Sequence, residues 1–179
     1  MDPVQAIYIT IARALDQPEK ALEARRDVEE LAHALGLEEV AQFFKEAEGI
    51  DVEDHRISLF ELAPKCPPYA GYYALGEDSR ERGWYMHQIL TYYRAFGFDM
   101  DVRRELPDYL PAMLEFLAVS RNVDDLGRKL MRKDFYRRFI KPWLDKFVQC
   151  LEKQKSPYRH LAHALVKLLK EDFETTETT

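Results

Sequence analysis

Apolar residues recur at three- and four-residue steps along nearly the whole chain, which is the spacing of amphipathic α-helices. In the first run, which ends before Pro18, the apolar positions are Val4, Ile7, Tyr8, Ile11 and Leu15. Further helices, bounded by glycine, proline or capping residues, are predicted at about 18–35, 37–48, 51–62, 79–96, 107–120, 124–139, 142–153 and 157–171. No stretch alternates polar and apolar residues as a strand would. We therefore predict an all-α fold, a single helical domain of about eight or nine helices.

Prolines and glycines interrupt this pattern at Pro64, Pro67, Pro68, Gly71 and Gly76. Because their density excludes one continuous helix, we predict a hinge loop over residues 63–78, with a short helix at 69–75. The loop divides a domain of residues 1–171 into an N-terminal half, 1–62, and a C-terminal half, 79–171, followed by a polar tail, 172–179. Such a link predicts a monomer that can also form a domain-swapped dimer.

Charge is unevenly distributed in this chain of 179 residues and net charge −6. Residues 37–61 are strongly acidic, whereas residues 121–141 are strongly basic. The asymmetry leaves room for a cationic partner on one side and an anionic partner on the other, although solvated helix faces give the same pattern. Because the chain as a whole is acidic, we expect no nucleic-acid binding at the basic run.

Residues that could carry catalysis or bind metal are few. Glu30 and His33 have the E-x-x-H spacing of di-iron bundles, but no second E-x-x-H exists, and His160 and His163 lack a third ligand. Nucleotide-binding, zinc-protease and serine-hydrolase motifs are absent. We therefore expect no catalytic activity, no metal and no cofactor.

The cellular compartment is suggested by the cysteines and by the apolar segments. Cys66 and Cys150 stand far apart outside any ligand cluster, which predicts two ordinary thiols in a reducing compartment. The N-terminal segment has no basic leader, and no segment approaches the length of about 20 apolar residues that spans a bilayer. We expect a cytoplasmic protein without stable membrane insertion.

The stretch RRELPDYLPAMLEFLA, residues 103–118, combines an acidic, proline-containing entry with a large apolar face. If residues 107–120 form a helix, the side opposite its apolar face carries Asp108, Pro111, Ala112 and Glu115. With Glu105 at the entrance, this side would form a shallow acidic strip for a partner. Equally, Asp108 could be only the helix N-cap or a first-turn anion.

The segment from residue 59 to residue 118 resembles the central region of the cytoplasmic molybdoenzyme-assembly chaperones, the TorD/DmsD/NarJ group. The matching features are LFE at 59–61, GExxRxRG at 76–83, a helix end at 93–97, ELPDxLP at 105–111 and LEFLA at 114–118. The forms RELPDxLP and GExxRxRG are most similar to the nitrate reductase (NarJ) branch. The family usually has histidine after the aspartate, where this chain has Tyr109, so a role of that histidine does not carry over.

The resemblance implies an all-helical chaperone without enzymatic activity. It would bind the N-terminal leader of a molybdopterin-containing catalytic subunit, either a twin-arginine signal peptide or a vestigial form of one. It would hold that subunit in the cytoplasm until the cofactor is inserted. The alternative is a helical scaffold that joins two folded proteins, which would need its folded partner and would not bind an isolated leader peptide.

A cationic, partly apolar leader requires carboxylates for its arginines and aromatic surface for its apolar part. The predicted carboxylates are Glu105, Asp108 and Glu115. The aromatic candidates for client-peptide binding are Tyr69, Tyr72, Tyr73, Trp84 and Tyr109. Trp84 and the tyrosines at 69, 72 and 73 would equally fit a hydrophobic core.

Overall fold

The structure is a computed structural model that describes residues 1–76 and 79–174. Within them the chain forms eleven α-helices and no strand, apart from one isolated antiparallel bridge between Tyr69 and Tyr109. The helices are α1 (Pro3–Asp16), α2 (Pro18–Glu23), α3 (Arg25–Ala34), α4 (Glu39–Ala47), α5 (Val52–Phe60), α6 (Ala70–Leu75), α7 (Arg82–Ala95), α8 (Leu110–Val119), α9 (Leu126–Phe139), α10 (Leu144–Lys153) and α11 (Tyr158–Phe173). The all-α prediction is confirmed. None of these helices is long and apolar enough to cross a membrane.

Several helix ends follow directly from local sequence. Asp51 caps α5 as predicted, because its side chain accepts a hydrogen bond from the Asp54 amide at 3.1 Å. Gly36 and Gly97 end α3 and α7 with φ angles of 72° and 68°, in the left-handed region that glycine adopts without a steric penalty. At these two positions glycine therefore marked the end of a helix correctly.

Other boundaries differ from the prediction. The expected helix over 18–35 is divided at Ala24, whose φ of −94° and ψ of 8° leave helical geometry without a glycine or proline to announce it. This division, together with the short helix α6, accounts for the higher helix count. At the C-terminus, α11 continues to Phe173, so residues 172 and 173 belong to the helical domain and the predicted tail boundary is wrong there. Residues 175–179 of the predicted tail, like residues 77 and 78 of the hinge loop, lie outside the described residues.

The two predicted halves share one hydrophobic core. Helix α1 packs along α8, and α4 packs against α11, so elements from residues 1–62 contact elements from residues 79–171 over much of their length. The largest fully buried side chains also come from both halves, among them Tyr8, Phe43, Phe116 and Trp143. The loop at 63–78 therefore joins parts of a single packed unit. The domain-swapped dimer stays a prediction.

Ion pairs inside the fold neutralise part of both charged runs. Asp172 accepts hydrogen bonds from Arg132 at 2.7 Å and from the Tyr8 hydroxyl at 2.7 Å, and it also pairs with Arg121. In the acidic run, Glu46 pairs with Arg159 of α11 at 3.1 Å. These contacts connect α1, α4, α9 and α11, so part of the uneven charge has a structural role.

The two cysteines form a disulfide. Cys66, in the loop after α5, is bonded to Cys150 of α10; their Cα atoms are 5.9 Å apart and their sequence separation is 84. The expectation of two separate thiols is wrong, because only the fold brings these distant positions together. The bond attaches the hinge loop to the C-terminal half.

Candidate partner-binding site

Asp108 lies at the centre of a buried contact and not on an exposed helix face. Its side chain is 0% exposed. Oδ2 accepts hydrogen bonds from the Gly71 amide at 2.9 Å and from Arg82 Nε at 3.2 Å, and Oδ1 accepts one from Arg82 Nη2 at 3.2 Å. The carboxylate thus satisfies an amide in the first turn of α6 and pairs with the guanidinium at the start of α7.

Backbone pairing determines this position. The Leu110 amide donates to the Pro68 carbonyl at 2.8 Å, and the Ala70 amide donates to the Asp108 carbonyl at 2.9 Å. Helix α8 consequently begins at Leu110, later than the predicted Pro107, and Asp108 precedes the helix. The predicted acidic strip is therefore wrong at Asp108, and also at Pro111 and Ala112, which are buried.

Gly71 allows the buried pair to form. A Cβ atom at this residue would lie 2.8 Å from Asp108 Oδ2 and 3.0 Å from Arg82 Cγ, both too close for an ordinary contact. The two family-like motifs that contain Arg82 and Asp108 thus meet beside Gly71. They hold α6, α7 and the entry to α8 together.

A groove with a volume of about 410 Å³ lies beside this contact, between the C-terminal end of α1, the segment after α7 and the first turns of α8. We call it the acidic groove. Among the described residues it is lined by Asp16, Gln17, Phe98, Asp99, Met100, Asp101, Arg104, Glu105, Tyr109, Pro111, Ala112 and Glu115. Five of these are carboxylates and one is an arginine, so the groove suits a cation with apolar neighbours.

Three predicted site residues line the acidic groove, namely Glu105, Tyr109 and Glu115. The Tyr109 hydroxyl donates to Asp16 Oδ1 at 2.8 Å, and the Tyr69 hydroxyl donates to Glu105 Oε1 at 2.8 Å. The rings of Tyr69 and Tyr109 pack with centroids 5.2 Å apart. The two packed tyrosines therefore orient two carboxylates of the acidic groove, Glu105 and Asp16.

Two titratable side chains of the acidic groove, Glu115 and Tyr109, have raised pKa values. Burial raises the pKa of Glu115 above its ordinary value of 4.5, and the nearby Asp16 raises it further, while Arg13 opposes the shift. Burial and the hydrogen bond to Asp16 also raise the pKa of Tyr109, so its phenol stays protonated and donates. A carboxylate that is disfavoured by a neighbouring anion is stabilised by an incoming cation.

The other aromatic candidates lie outside this groove. Tyr73 stacks on the buried Trp143, with ring centroids 5.6 Å apart, and contacts Tyr72 at 4.9 Å. Trp84 is 65% exposed and stacks on His87 along α7. The structure therefore separates Tyr72, Tyr73 and Trp84 from the predicted carboxylates.

Three carboxylates of the groove were missed from sequence: Asp16, Asp99 and Asp101. Asp16 is the last residue of α1 and is distant in sequence from the other groove residues, so no local pattern indicates it. Asp99 and Asp101 follow the glycine that ends α7, and their D-x-D spacing was an available signal. A carboxylate at a helix C-terminus faces the negative end of the helix dipole, and the bond from Tyr109 offsets that cost for Asp16.

The E-x-x-H pair does not form a metal site with its neighbours. His33 Nδ1 lies 2.7 Å from Glu38 Oε1, which makes Glu38 its partner. Within the part of the chain that the structure describes, no group of three or more histidine, cysteine, aspartate or glutamate side chains is arranged to hold a metal ion.

Comparison with known proteins assigns the chain to a family. Residues 17–149 match the family model described as the nitrate reductase delta subunit. The chain is 30% identical over 145 residues to the probable nitrate reductase molybdenum cofactor assembly chaperone NarJ of Bacillus subtilis, covering 79% of this chain and 73% of that protein. It is 34% identical over 91 residues to the probable assembly chaperone NarW of Escherichia coli, also named for nitrate reductase molybdenum cofactor assembly, covering 51% of this chain and 36% of that protein.

The same fold occurs in a solved structure. A crystal structure of a protein assigned as a redox enzyme maturation protein from Archaeoglobus fulgidus matches with a TM-score of 0.63 and 24% sequence identity, covering 95% of both chains. The overall fold of the described residues is therefore shared with a protein of low sequence identity. Residues 59–118 indicated a resemblance to the nitrate reductase (NarJ) branch, and this prediction is confirmed. This chain belongs to the nitrate reductase delta subunit family.

Proposed function

We propose that this protein is a maturation chaperone for the catalytic subunit of a molybdopterin-containing oxidoreductase. In this proposal it binds the N-terminal leader of that subunit in the cytoplasm and supports cofactor insertion and assembly before targeting. The observation that carries the proposal is the acidic groove, in which five carboxylates surround a cavity of about 410 Å³. The names of the family relatives support the class of client.

The groove supplies the interactions that a leader with arginines requires. Carboxylates on three different elements, Asp16 of α1, Asp99 after α7 and Glu115 of α8, face one cavity. A guanidinium has five donors in a planar fork and can engage two such carboxylates at once. Phe98 and Met100 provide apolar surface for the neighbouring side chains of the leader.

Asp108 has an indirect part in this proposal. Because its carboxylate is buried and paired with Arg82, contact with a leader would require that pair to open. Asp108 instead stabilises the backbone bridge that pairs Tyr69 with Tyr109. The hydroxyls of these two tyrosines position Glu105 and Asp16. The residue thus maintains the shape of the groove.

Calorimetric titration with a leader peptide tests the proposal. The probe is the synthetic N-terminal leader of the molybdoenzyme catalytic subunit encoded nearest to this chain, beside a version with its arginines replaced by glutamine. We expect the arginine peptide to bind and its affinity to fall as salt rises, because screening weakens contacts between exposed charges. Equal affinity of both peptides would contradict recognition by the acidic groove.

The same titration separates the chaperone from a scaffold. A leader-binding chaperone binds the isolated peptide, whereas a scaffold that joins folded proteins binds only the intact subunit. Binding of the subunit both with and without its leader, together with no binding of the peptide, would favour the scaffold.

A further inference from the structure

The disulfide between Cys66 and Cys150 has no part in leader binding as proposed above, yet it lies close to the acidic groove along the chain. Cys66 is followed by two prolines and then by Tyr69. The Tyr69 hydroxyl donates to Glu105, which lines the acidic groove. Two prolines therefore separate the disulfide from a tyrosine that orients a carboxylate of the groove.

These two prolines make the connection stiff. Because the proline ring fixes the φ angle, Pro67 and Pro68 leave few backbone rotations that could absorb a displacement of Cys66. The Pro68 carbonyl accepts a hydrogen bond from the Leu110 amide at 2.8 Å, where α8 begins. We therefore expect a displacement of Cys66 to reach the backbone pairing that holds Asp108 in place.

The loop is exposed on the other side of Cys66. Residues 61–65 are all exposed, and Ala63 has a φ angle of 47°, a conformation that is disfavoured for a residue with a Cβ atom. Cys66 itself is 0% exposed and belongs to the hydrophobic core. The loop thus enters the core at Cys66, where the covalent bond attaches it to α10.

The two sulfur atoms differ in accessibility. Cys66 is fully buried, whereas Cys150 is only partly buried, near the C-terminal end of α10. Since a thiolate attacks a disulfide at the sulfur that it can reach, Cys150 is the point of attack. Cys150 Sγ also lies 3.1 Å from the Lys65 carbonyl, which can accept a hydrogen bond from the thiol once the disulfide is broken.

We propose that this disulfide is a reversible modification site whose redox state controls the acidic groove. A thiolate of a dithiol protein attacks Cys150 Sγ, forms a mixed disulfide and releases Cys66 as a thiolate, which takes up a proton. The second thiolate of the dithiol attacks the dithiol's own sulfur in the mixed disulfide and releases Cys150, which is protonated in turn. Two electrons and two protons pass from the dithiol to the cysteines, and exchange with a protein disulfide reverses the reaction.

Reduction loosens the pairing beside the groove. Two unbonded sulfur atoms need a larger separation than a covalent bond allows, so Cys66 moves away from α10 and displaces the pairing of Pro68 with Leu110. Tyr69, whose ring packs on Tyr109, then orients its groove carboxylate less firmly. A less preorganised groove binds the leader more weakly. This effect on the leader rests on the proposed function.

A reversible bond fits the proposed function better than a permanent one does. That function is carried out in the cytoplasm, where disulfides are usually transient and serve catalysis or redox sensing. Permanent stabilising disulfides are typical of oxidising compartments. The partly exposed Cys150 gives a reductant the access that a reversible bond requires.

Reduction of the folded chain with dithiothreitol, followed by titration of free thiols, tests the modification site. We expect two thiols per chain without denaturant and recovery of the disulfide with oxidised glutathione. Cys66→Ser, which leaves Cys150, should react with an aromatic disulfide reagent at least about tenfold faster than Cys150→Ser, which leaves the buried Cys66. A disulfide that is reduced only in denaturant, or a faster reaction of Cys66, would overturn the proposal.

Hydrogen exchange measured by NMR tests the coupling without any leader. The amides of Ala70 and Leu110 should exchange at least about tenfold faster in the reduced chain and in the double variant Cys66→Ser, Cys150→Ser. The control Leu168→Ala loses a buried leucine of α11 and keeps the disulfide, so it should not single out these two amides. Unchanged exchange on reduction, or the same selective increase in the control, would contradict the coupling.

Titration of the leader peptide into both redox forms tests control of the groove. We expect binding to be about threefold to tenfold weaker after reduction and to recover after reoxidation. The double variant should bind like the reduced chain and should not respond to dithiothreitol. If the leader binds both forms equally, the disulfide does not control the groove and the proposal fails. If neither form binds the leader while the Ala70 and Leu110 amides still respond to reduction, the proposed function fails and the redox coupling is supported.

Discussion

At the residue scale, Asp108 shows what a motif can and cannot reveal. Its sequence context indicated an important aspartate, and the resemblance to the family was right. Sequence alone could not tell an exposed carboxylate from a buried one, because burial depends on the pairing of residues 68–70 with 108–110. Mutation of an exposed Asp108 would mainly weaken peptide binding, whereas mutation of the buried Asp108 should mainly lower the stability of the fold.

We predict that Asp108→Ala destabilises the fold by about 3–5 kcal/mol, since Arg82 and the Gly71 amide both lose their partner. Asp108→Asn keeps an acceptor for the amide and loses the charge, so its cost should be about 1.5–3 kcal/mol. Urea denaturation measures both values. A change below about 0.5 kcal/mol in both variants, the range of ordinary surface substitutions, would contradict the buried pair.

Glu115 predicts how partner binding depends on pH. The pKa of Glu115 is raised in the folded chain. Its contribution to the stability of the fold is therefore present below pH 4.5 and is lost as pH rises through the raised pKa. Cation binding has the opposite sign, because it needs the ionised carboxylate. Leader affinity should therefore decrease as pH falls from 7 through the region just above 4.5, with proton uptake on dissociation, and Glu115→Gln should flatten that decrease. Calorimetry in buffers of different ionisation enthalpy measures the proton count, and an unchanged pH profile in Glu115→Gln would refute this role.

At the element scale, the helices were predictable and their junctions were less so. Gly36 and Gly97 marked helix ends correctly, whereas the break at Ala24 had no signal in the sequence. Residues 98–106, between two predicted helices, were not assigned any structure from sequence, yet they supply Asp99, Asp101 and Glu105 to the acidic groove. The proposed leader site therefore depends on a connection between helices that helical periodicity does not predict.

We expect two cations in the same connection to oppose binding of the proposed cationic leader. Arg103 and Arg104 pair with Asp101 at 3.2 Å and 3.6 Å, and their side chains are 89% and 87% exposed. Because Arg104 lines the acidic groove, Arg104→Gln should increase leader affinity several-fold while leaving the melting temperature nearly unchanged. Calorimetric titration of the leader peptide gives the affinity, and a weaker complex would show that Arg104 contacts the partner favourably.

At the scale of the whole molecule, periodicity correctly indicated one all-α domain. Contacts between residues that are distant in sequence could not be predicted from periodicity. The disulfide joins two cysteines with a sequence separation of 84. The hydrogen bond between Tyr109 and Asp16 joins residues with a sequence separation of 93. The hinge loop was located from its prolines, while its attachment to α10 depends on the fold. Such contacts arise only when α1, α8 and α10 pack around the common core.

Removal of the disulfide tests the role of that attachment. Cys66→Ser combined with Cys150→Ser should lower the free energy of unfolding by about 2–4 kcal/mol, because the unfolded chain regains the entropy of a long loop. Denaturation of the wild type with and without reductant, beside the double variant, gives the value. Identical stability of all three samples would mean that the bond does not constrain the unfolded chain.

The central claim is that the acidic groove receives a cationic leader, and one comparison of variants tests it most directly. Asp16→Asn with Glu115→Gln removes two groove charges, and the matched control Glu30→Gln with Glu23→Gln removes two exposed charges elsewhere. In calorimetric titrations with the same leader peptide, the groove variant should lose about 1.5–3 kcal/mol of binding free energy, the value of a hydrogen bond between charged groups. The control should bind as the wild type does. Equal affinity of the groove variant and the wild type, with both variants folded, would contradict the claim.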